Sequence, residues 1–234
     1  MNLTSRHKIG LLQIGQSQRE PLELDFQKLE DHFTFFNLAP LDAFSEDELA
    51  THFRPAHGEL PISSMNRSGQ RILVSSSALV PELHKAIKEA ETEDLNAVVL
   101  SCTGEFDLGK TTLPLLLPGQ LLRDKVQSYE NLLKMVAVLV PVDEQQEPLT
   151  ARWIGRLPEN AKVQAFTMSP QVGLETCREL GESLAASGFH AAIMDCFGYS
   201  LDQHAAIKDS VSLTFSAKAV AIDALKELRS KTVN

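Results

Sequence analysis

Two cysteines lie in matching sequence contexts, 94 residues apart. Segments 96–105 (NAVVLSCTGE) and 190–199 (HAAIMDCFGY) share the order polar, Ala, three apolar residues, polar, Cys, any residue, Gly, which puts Cys102 and Cys196 in the same place. A thiolate can remove a proton from a carbon next to a carboxylate, and a thiol can deliver one to the opposite face. The repeat therefore predicts cofactor-free acid–base chemistry on a small carboxylate.

Other interpretations of Cys102 stay open on the residues alone. A buried, unreactive thiol is the commonest state of an intracellular cysteine, and it is the state we expect for Cys177 inside a helix-like segment. Residues 104–111 (GEFDLGKT) also satisfy the phosphate-loop pattern G-x-x-x-x-G-K-[ST]. Pro114 and Pro118 would break the helix that must follow such a loop, which weighs against a nucleoside triphosphatase.

Short apolar segments alternate with amphipathic segments along the chain. This alternation predicts an α/β protein with parallel sheets flanked by helices. Ser45 and Glu48 have capping-box spacing for a helix start, and Gly188 is placed to end another helix. The predicted strands are 8–14, 34–39, 71–76, 96–101, 135–142, 161–169 and 190–195, and 210–215 leads into the last helix.

The cysteine repeat predicts two pseudo-symmetric lobes. We expect residues 1–114 with 212–234 to form one lobe, residues 115–211 to form the other, and a ligand cleft to lie between them. Each lobe would carry a cysteine at the carboxyl end of a parallel strand, where open α/β folds bind ligands. The field there, before a helix N-terminus, is expected to lower the pKa of the thiol.

Composition narrows the class of partner. The 234 residues carry a net charge of −9 and are 43% hydrophobic and 23% charged, which favours a globular protein and argues against nucleic acid or an anionic membrane as partner. No apolar stretch approaches the roughly 18 residues that span a bilayer. Three cysteines make a poor disulfide framework, so a cytoplasmic protein is expected. His52 and His57 lack metal-site spacing, so neither a metal nor a cofactor is expected.

Five segments between residues 9 and 200 resemble segments of the AroM family, in the same order along the chain. That family is similar to the aspartate/glutamate/hydantoin racemase superfamily. The superfamily includes cofactor-free amino-acid and hydantoin racemases, maleate isomerases and arylmalonate decarboxylases. The resemblance implies two pseudo-symmetric α/β lobes with two cysteines facing each other across a cleft, and it is compatible with a homodimer. The segments are 9–20 (IGLLQIGQSQRE), 98–106 (VVLSCTGEF), 115–124 (LLLPGQLLRD), 136–145 (VAVLVPVDEQ) and 193–200 (IMDCFGYS).

The resemblance places Cys102 and Cys196 at the two catalytic thiol positions. Residues 197–199 replace the Thr-His of many glutamate racemases, which favours a small carboxylate other than an α-amino acid. A decarboxylation or isomerisation using one thiol, and a non-catalytic, regulatory carboxylate-binding protein, both stay open. Lys218, early in the last helix, is expected to be solvated. The candidate ligand contacts are Gly15, Gln16, Ser17, Arg19, Thr103, Gly104, Glu105, Phe197, Gly198, Tyr199 and Ser200.

Overall fold

The computed structural model describes residues 6–17 and 24–232, which form two units. The first unit contains the described residues up to Leu117 and those from Ala224 onward. The second unit is Pro118–Asp223. Each unit is built around its own four-stranded parallel sheet, which agrees with the predicted fold class. No helix of the described residues is long and apolar enough to cross a membrane.

The sheet of the first unit has the strand order β2 (Phe33–Leu38), β1 (His7–Leu12), β5 (Ala97–Leu100) and β6 (Leu115–Leu116). Strands β1 and β5 lie side by side, with Leu12 paired to Leu100 at their carboxyl ends. Both strands are rich in apolar residues because the inner strands of a parallel sheet are covered on both faces. The elements of this unit are β1 (His7–Leu12), α1 (Leu24–Gln27), β2 (Phe33–Leu38), α2 (Glu46–His52), β3 (Ile62–Met65), β4 (Arg71–Val74), α3 (Ser76–Ala90), β5 (Ala97–Leu100) and β6 (Leu115–Leu116).

The sheet of the second unit has the strand order β10 (Leu213–Ser216), β9 (Ala191–Met194), β7 (Met135–Val140) and β8 (Lys162–Thr167). The final helix begins in this unit, and its described residues from Ala224 onward belong to the first. The elements are α4 (Pro118–Gln127), β7 (Met135–Val140), α5 (Gln146–Ile154), β8 (Lys162–Thr167), α6 (Leu174–Ala186), β9 (Ala191–Met194), α7 (Leu201–Lys208), β10 (Leu213–Ser216) and α8 (Ala217–Thr232).

The two sheets have the same topology. Counting only the strands of the parallel sheet, the first strand lies between the second and the third, and the fourth strand is added outside the third. Strand β5 therefore corresponds to β9, and these are the two strands that precede the repeated cysteines. The pseudo-symmetry that the sequence repeat predicted is confirmed at the level of strand order.

Several local predictions can be compared directly with the structure. Ser45 and Glu48 form the predicted capping box at the start of α2. Gly188 follows α6 with a φ of 85°, a left-handed conformation that favours glycine after a helix. The strand predicted at 71–76 is real but lies outside the parallel sheet, because β4 pairs only with β3 as an antiparallel hairpin.

The backbone that follows residues 104–111 does not fit a phosphate loop. A phosphate loop leads directly into a helix whose N-terminus faces the phosphates. Here the chain continues through irregular backbone to the short strand β6, and the next helix begins only at Pro118. Pro118 starts α4, at a position where its missing N–H costs nothing.

Candidate functional site

The two repeated cysteines occupy equivalent places in their sheets. Cys102 lies two residues after the end of β5, and Cys196 lies two residues after the end of β9. In each case the backbone N–H two residues further on donates a hydrogen bond to the sulfur. The Gly104 N–H is 3.1 Å from Cys102 Sγ, and the Gly198 N–H is 3.4 Å from Cys196 Sγ. We call these two structures the cysteine turns.

The glycine of each cysteine turn leaves little space for a side chain. A Cβ on Gly104 would lie 2.8 Å from the Phe106 ring and 3.3 Å from the sulfur of the turn. A Cβ on Gly198 would lie 3.1 Å from Pro170 Cγ and 3.4 Å from the sulfur. The Cys-x-Gly pattern is thus a structural signature that fixes each sulfur at the carboxyl edge of its sheet.

Cys196 lies among charged side chains that are themselves buried. The carboxylate of Asp195 is 4% exposed, and its Oδ2 accepts a hydrogen bond of 2.8 Å from the buried Trp153 indole N–H. Lys218 is 2% exposed, with its ammonium 5.8 Å from the centre of the Phe197 ring. The expectation that Lys218 is solvated is therefore wrong. Lys218 is buried because the pairing of β10 with β9 places it at the same edge of the sheet as the Cys196 turn.

The surroundings of Cys196 disfavour its thiolate. Burial raises the pKa of the Cys196 thiol to about 11. The Gly198 N–H opposes this rise, the like charge of Asp195 adds to it, and Lys218 opposes it. The expectation of a lowered pKa is thus wrong for this cysteine, because burial outweighs the favourable hydrogen bond. At neutral pH Cys196 carries its proton.

The residues after Cys196 anchor the turn to the second unit. Tyr199 is fully buried, its hydroxyl donates to the Met168 carbonyl at 2.7 Å, and burial raises its pKa well above the usual range. Ser200 is the N-cap of α7, where its Oγ accepts from the Gln203 N–H. Phe197 is also buried. In this structure these predicted ligand contacts hold the turn in place, while Gly198 is only partly buried.

Cys102 itself is buried and Cys196 is partly exposed, but the residues after Cys102 are more exposed than those after Cys196. Cys102 is 9% exposed and packs in the core of the first unit with Leu100 and Leu108. Thr103 and Gly104 are partly buried, and Glu105 is exposed. The predicted contacts after Cys102 therefore lie nearer to solvent than those after Cys196.

The loop after β1 lies beside the Cys102 turn, because β1 and β5 are neighbouring strands. The buried Gln16 side chain donates to the carbonyls of Leu41 and Phe44, and its oxygen accepts from the Arg67 N–H, so its amide joins three segments of the chain. Ser17 is partly buried and accepts a hydrogen bond from the Asn37 side chain.

Two further predicted contacts belong to this loop. A Cβ on Gly15 would lie 2.5 Å from the Met65 carbonyl oxygen, so glycine is needed for the loop to dock on the β3–β4 hairpin. Arg19 lies outside the described residues. No group of three or more His, Cys, Asp or Glu side chains among residues 6–17 and 24–232 is arranged to hold a metal ion.

Cys177 is a core residue, as predicted. It is fully buried in α6, its thiol is 3.8 Å from the Met168 sulfur, and burial raises its pKa. Two functional candidates were missed from the sequence, Trp153 and Lys218. Only the register of β9 and β10, and the packing of α5 on this sheet, bring them near Cys196.

Solved structures with the same fold include a decarboxylase and two racemases. Unliganded arylmalonate decarboxylase is 13% identical with a TM-score of 0.57, covering 95% of this chain and 93% of that chain. Glutamate racemase from Francisella tularensis subsp. tularensis SCHU S4, in complex with D-glutamate, is 12% identical with a TM-score of 0.55, covering 97% and 82%. Picrophilus torridus aspartate racemase is 12% identical with a TM-score of 0.52, covering 95% and 94%.

These likenesses show the fold alone, because the sequence identities are so low. A search of curated proteins finds no match. The family model described as AroM protein matches residues 9–227, which is nearly the whole chain. The segments that carry both cysteine turns fall within that match. The chain therefore belongs to the AroM family.

Proposed function

We propose that this protein is a cofactor-independent enzyme that moves a proton at the carbon next to a carboxylate, with Cys102 and Cys196 as its acid–base pair. The observation that carries the proposal is the equivalence of the two cysteine turns, each with an N–H donated to sulfur at the end of a corresponding strand. The racemase-like fold supports a catalytic or ligand-binding role of this kind.

We assign a different role to each thiol. Cys196, with its pKa near 11, is the proton donor. Cys102 acts as the thiolate that removes the substrate proton, and the electron pair of the broken C–H bond moves into the carboxylate to give an enediolate. The Cys196 thiol then protonates the opposite face, and proton exchange with water restores both groups. This mechanism requires both sulfur atoms to reach one substrate carbon.

The high pKa of Cys196 also favours a second candidate, a one-thiol decarboxylation. In that reaction the bond from the reacting carbon to a second carboxylate breaks and CO₂ leaves. The electron pair stays on the remaining carboxylate as an enediolate, and Cys196 protonates the carbon. Its thiolate regains a proton from water, so no base is needed. A solved decarboxylase with this fold is consistent with this candidate.

The rival from another class is a carboxylate-binding protein without catalysis. In all three cases we propose that the hydroxyls of Ser17 and Thr103 contact the carboxylate, because short hydroxyls are suited to an anion. The three free cysteines are consistent with the reducing conditions of the cytoplasm.

Deuterium incorporation from D₂O tests the proposal. Arylacetates, 2-arylpropionates and arylmalonates would be incubated with the protein and followed by NMR for C–H exchange and for loss of CO₂. The two-thiol reaction predicts that both Cys102→Ser and Cys196→Ser abolish racemisation of a 2-arylpropionate, that Cys102→Ser also abolishes exchange, and that Cys177→Ser, the matched control, retains both.

Each rival gives a different result in the same experiment. CO₂ loss that only Cys196→Ser abolishes would support the one-thiol reaction. Binding without exchange or CO₂ loss for any of these compounds would favour the binding protein. Exchange that survives in both variants would overturn the assignment of Cys102 and Cys196.

A further inference from the structure

The register of the second sheet places a buried cation beside Cys196. Ser216 pairs with Met194 at the carboxyl ends of β10 and β9. Lys218 lies two residues after Ser216, just as Cys196 lies two residues after Met194. The lysine is almost fully buried, although most lysines lie at the surface. The carboxyl edge of a parallel sheet is also where α/β folds bind their ligands.

The ammonium of Lys218 is held close to the Cys196 turn. It lies 5.8 Å from the centre of the Phe197 ring, within the range of a cation–π interaction, and Phe197 is the residue that follows Cys196. Its charge is also near enough to the sulfur to lower the pKa of the thiol, against the larger effect of burial. One oxygen of the neighbouring Asp195 carboxylate accepts the Trp153 N–H. The cation is thus fixed beside the proton donor.

We propose that Lys218 is a third functional residue, whose ammonium binds the substrate carboxylate attached to the reacting carbon and so presents that carbon to Cys196. This inference rests on the proposed function. When the C–H bond or the bond to departing CO₂ breaks, its electron pair enters this carboxylate. The contact with Lys218 therefore strengthens in the transition state, and the low exposure of the site limits its screening by water.

The test compares two alkylating agents of almost equal shape, iodoacetate and iodoacetamide. Only iodoacetate carries a carboxylate one bond from the carbon that the thiolate attacks. Rates at Cys196 would be measured by peptide mapping and expressed as the iodoacetate-to-iodoacetamide ratio, which cancels the thiolate fraction. We expect a ratio higher than that of the neutral thiol N-acetylcysteinamide. The ratio should fall about tenfold in Lys218→Met, the loss of one charge-assisted contact, and recover in Lys218→Arg.

The control is Lys208→Met, which removes an exposed charge from the same unit and should leave the ratio unchanged. An unchanged ratio in folded Lys218→Met would overturn the proposal and leave Lys218 as a buried counter-charge only. If Lys218→Met does not fold, the wild type still decides. A Cys196 ratio no higher than that of the neutral thiol would contradict the proposal. Because no turnover is measured, these outcomes are independent of deuterium exchange and of the assigned reaction.

Discussion

The two cysteine turns are built alike but lie in different surroundings. Both follow corresponding strands, and both hold sulfur with the N–H of a glycine. Around Cys196, however, Asp195 and Lys218 are buried and α7 begins at once, at Leu201. The comparison teaches that the turn sets where the sulfur lies, whereas its neighbours set whether it keeps its proton.

The segments that follow the two turns are also held differently. After Cys102 the chain is held by hydrogen bonds at the surface. His84 contacts the Asp107 carbonyl at 2.7 Å, and Glu91 accepts the Thr112 N–H at 2.7 Å. After Cys196 the hydrogen bonds are buried, such as the one from the Tyr199 hydroxyl to the Met168 carbonyl. We therefore expect the Cys196 turn to be the more rigid of the two.

The largest effect is expected from Trp153→Phe. The substitution removes the N–H that Asp195 accepts and leaves a gap beside a buried carboxylate. We expect the free energy of unfolding to fall by about 3 kcal/mol, measured by urea denaturation. Asp195→Asn in the same background should recover part of this loss, because the remaining group is neutral. Additive losses would show that the two side chains are not coupled.

Alkaline pH should destabilise the fold through Cys196. Its folded-state pKa of about 11 exceeds the ordinary value of 9.0, so the unfolded chain releases this proton first as the pH rises. Its contribution to stability is complete below pH 9 and is lost as the pH approaches 11. We expect the wild type to lose about 2 kcal/mol more than Cys196→Ser across this interval. Equal losses would contradict the raised pKa.

Alanine at the two turn glycines should show which turn is tighter. In Gly104→Ala the new methyl meets the ring of Phe106, a side chain that can rotate away. In Gly198→Ala it meets Pro170, whose ring is fixed to the backbone. We expect Gly198→Ala to cost about 2 kcal/mol of unfolding free energy and Gly104→Ala less than about 1 kcal/mol. The reverse order in thermal denaturation would contradict the comparison.

The smallest effect is expected from the hydrogen bonds that Glu91 accepts at the surface, in the segment after Cys102. Hydrogen bonds from Lys88 and Thr112 lower the pKa of Glu91 to about 2. The contribution of this carboxylate is therefore complete above pH 4.5 and is lost as the pH falls through about 2. Glu91→Gln should speed hydrogen exchange at the Thr112 amide without changing the midpoint of global unfolding. A shifted midpoint would show that these hydrogen bonds stabilise more than the loop.

The parallel strands and the two cysteines could be predicted from the sequence because their signals are local. Near-continuous apolar runs indicate buried parallel strands, and the Cys-x-Gly repeat directly reflects the N–H to sulfur bond. The capping box of Ser45 and Glu48 could likewise be predicted, because it is contained within four consecutive residues.

The protonation state of Cys196 could not be predicted in this way. It depends first on burial, and then on charges that include Lys218, which the pairing of β10 with β9 brings to this edge of the sheet. A lysine at the start of a helix gives no local sign that strand pairing will bury it. The hairpin of β3 and β4 was missed for a related reason, since an apolar run does not specify which strand it pairs with.

The alkylation rate of each thiol as a function of pH tests the central claim most directly. Iodoacetamide labelling would be resolved by peptide mapping at Cys102, Cys177 and Cys196, in the wild type and in Asp195→Asn. The account predicts that Cys196 titrates near pH 11, and that Asp195→Asn moves its midpoint to lower pH by removing a like charge. A Cys196 midpoint at or below the ordinary thiol value of 9.0 would contradict the assignment of Cys196 as the proton donor.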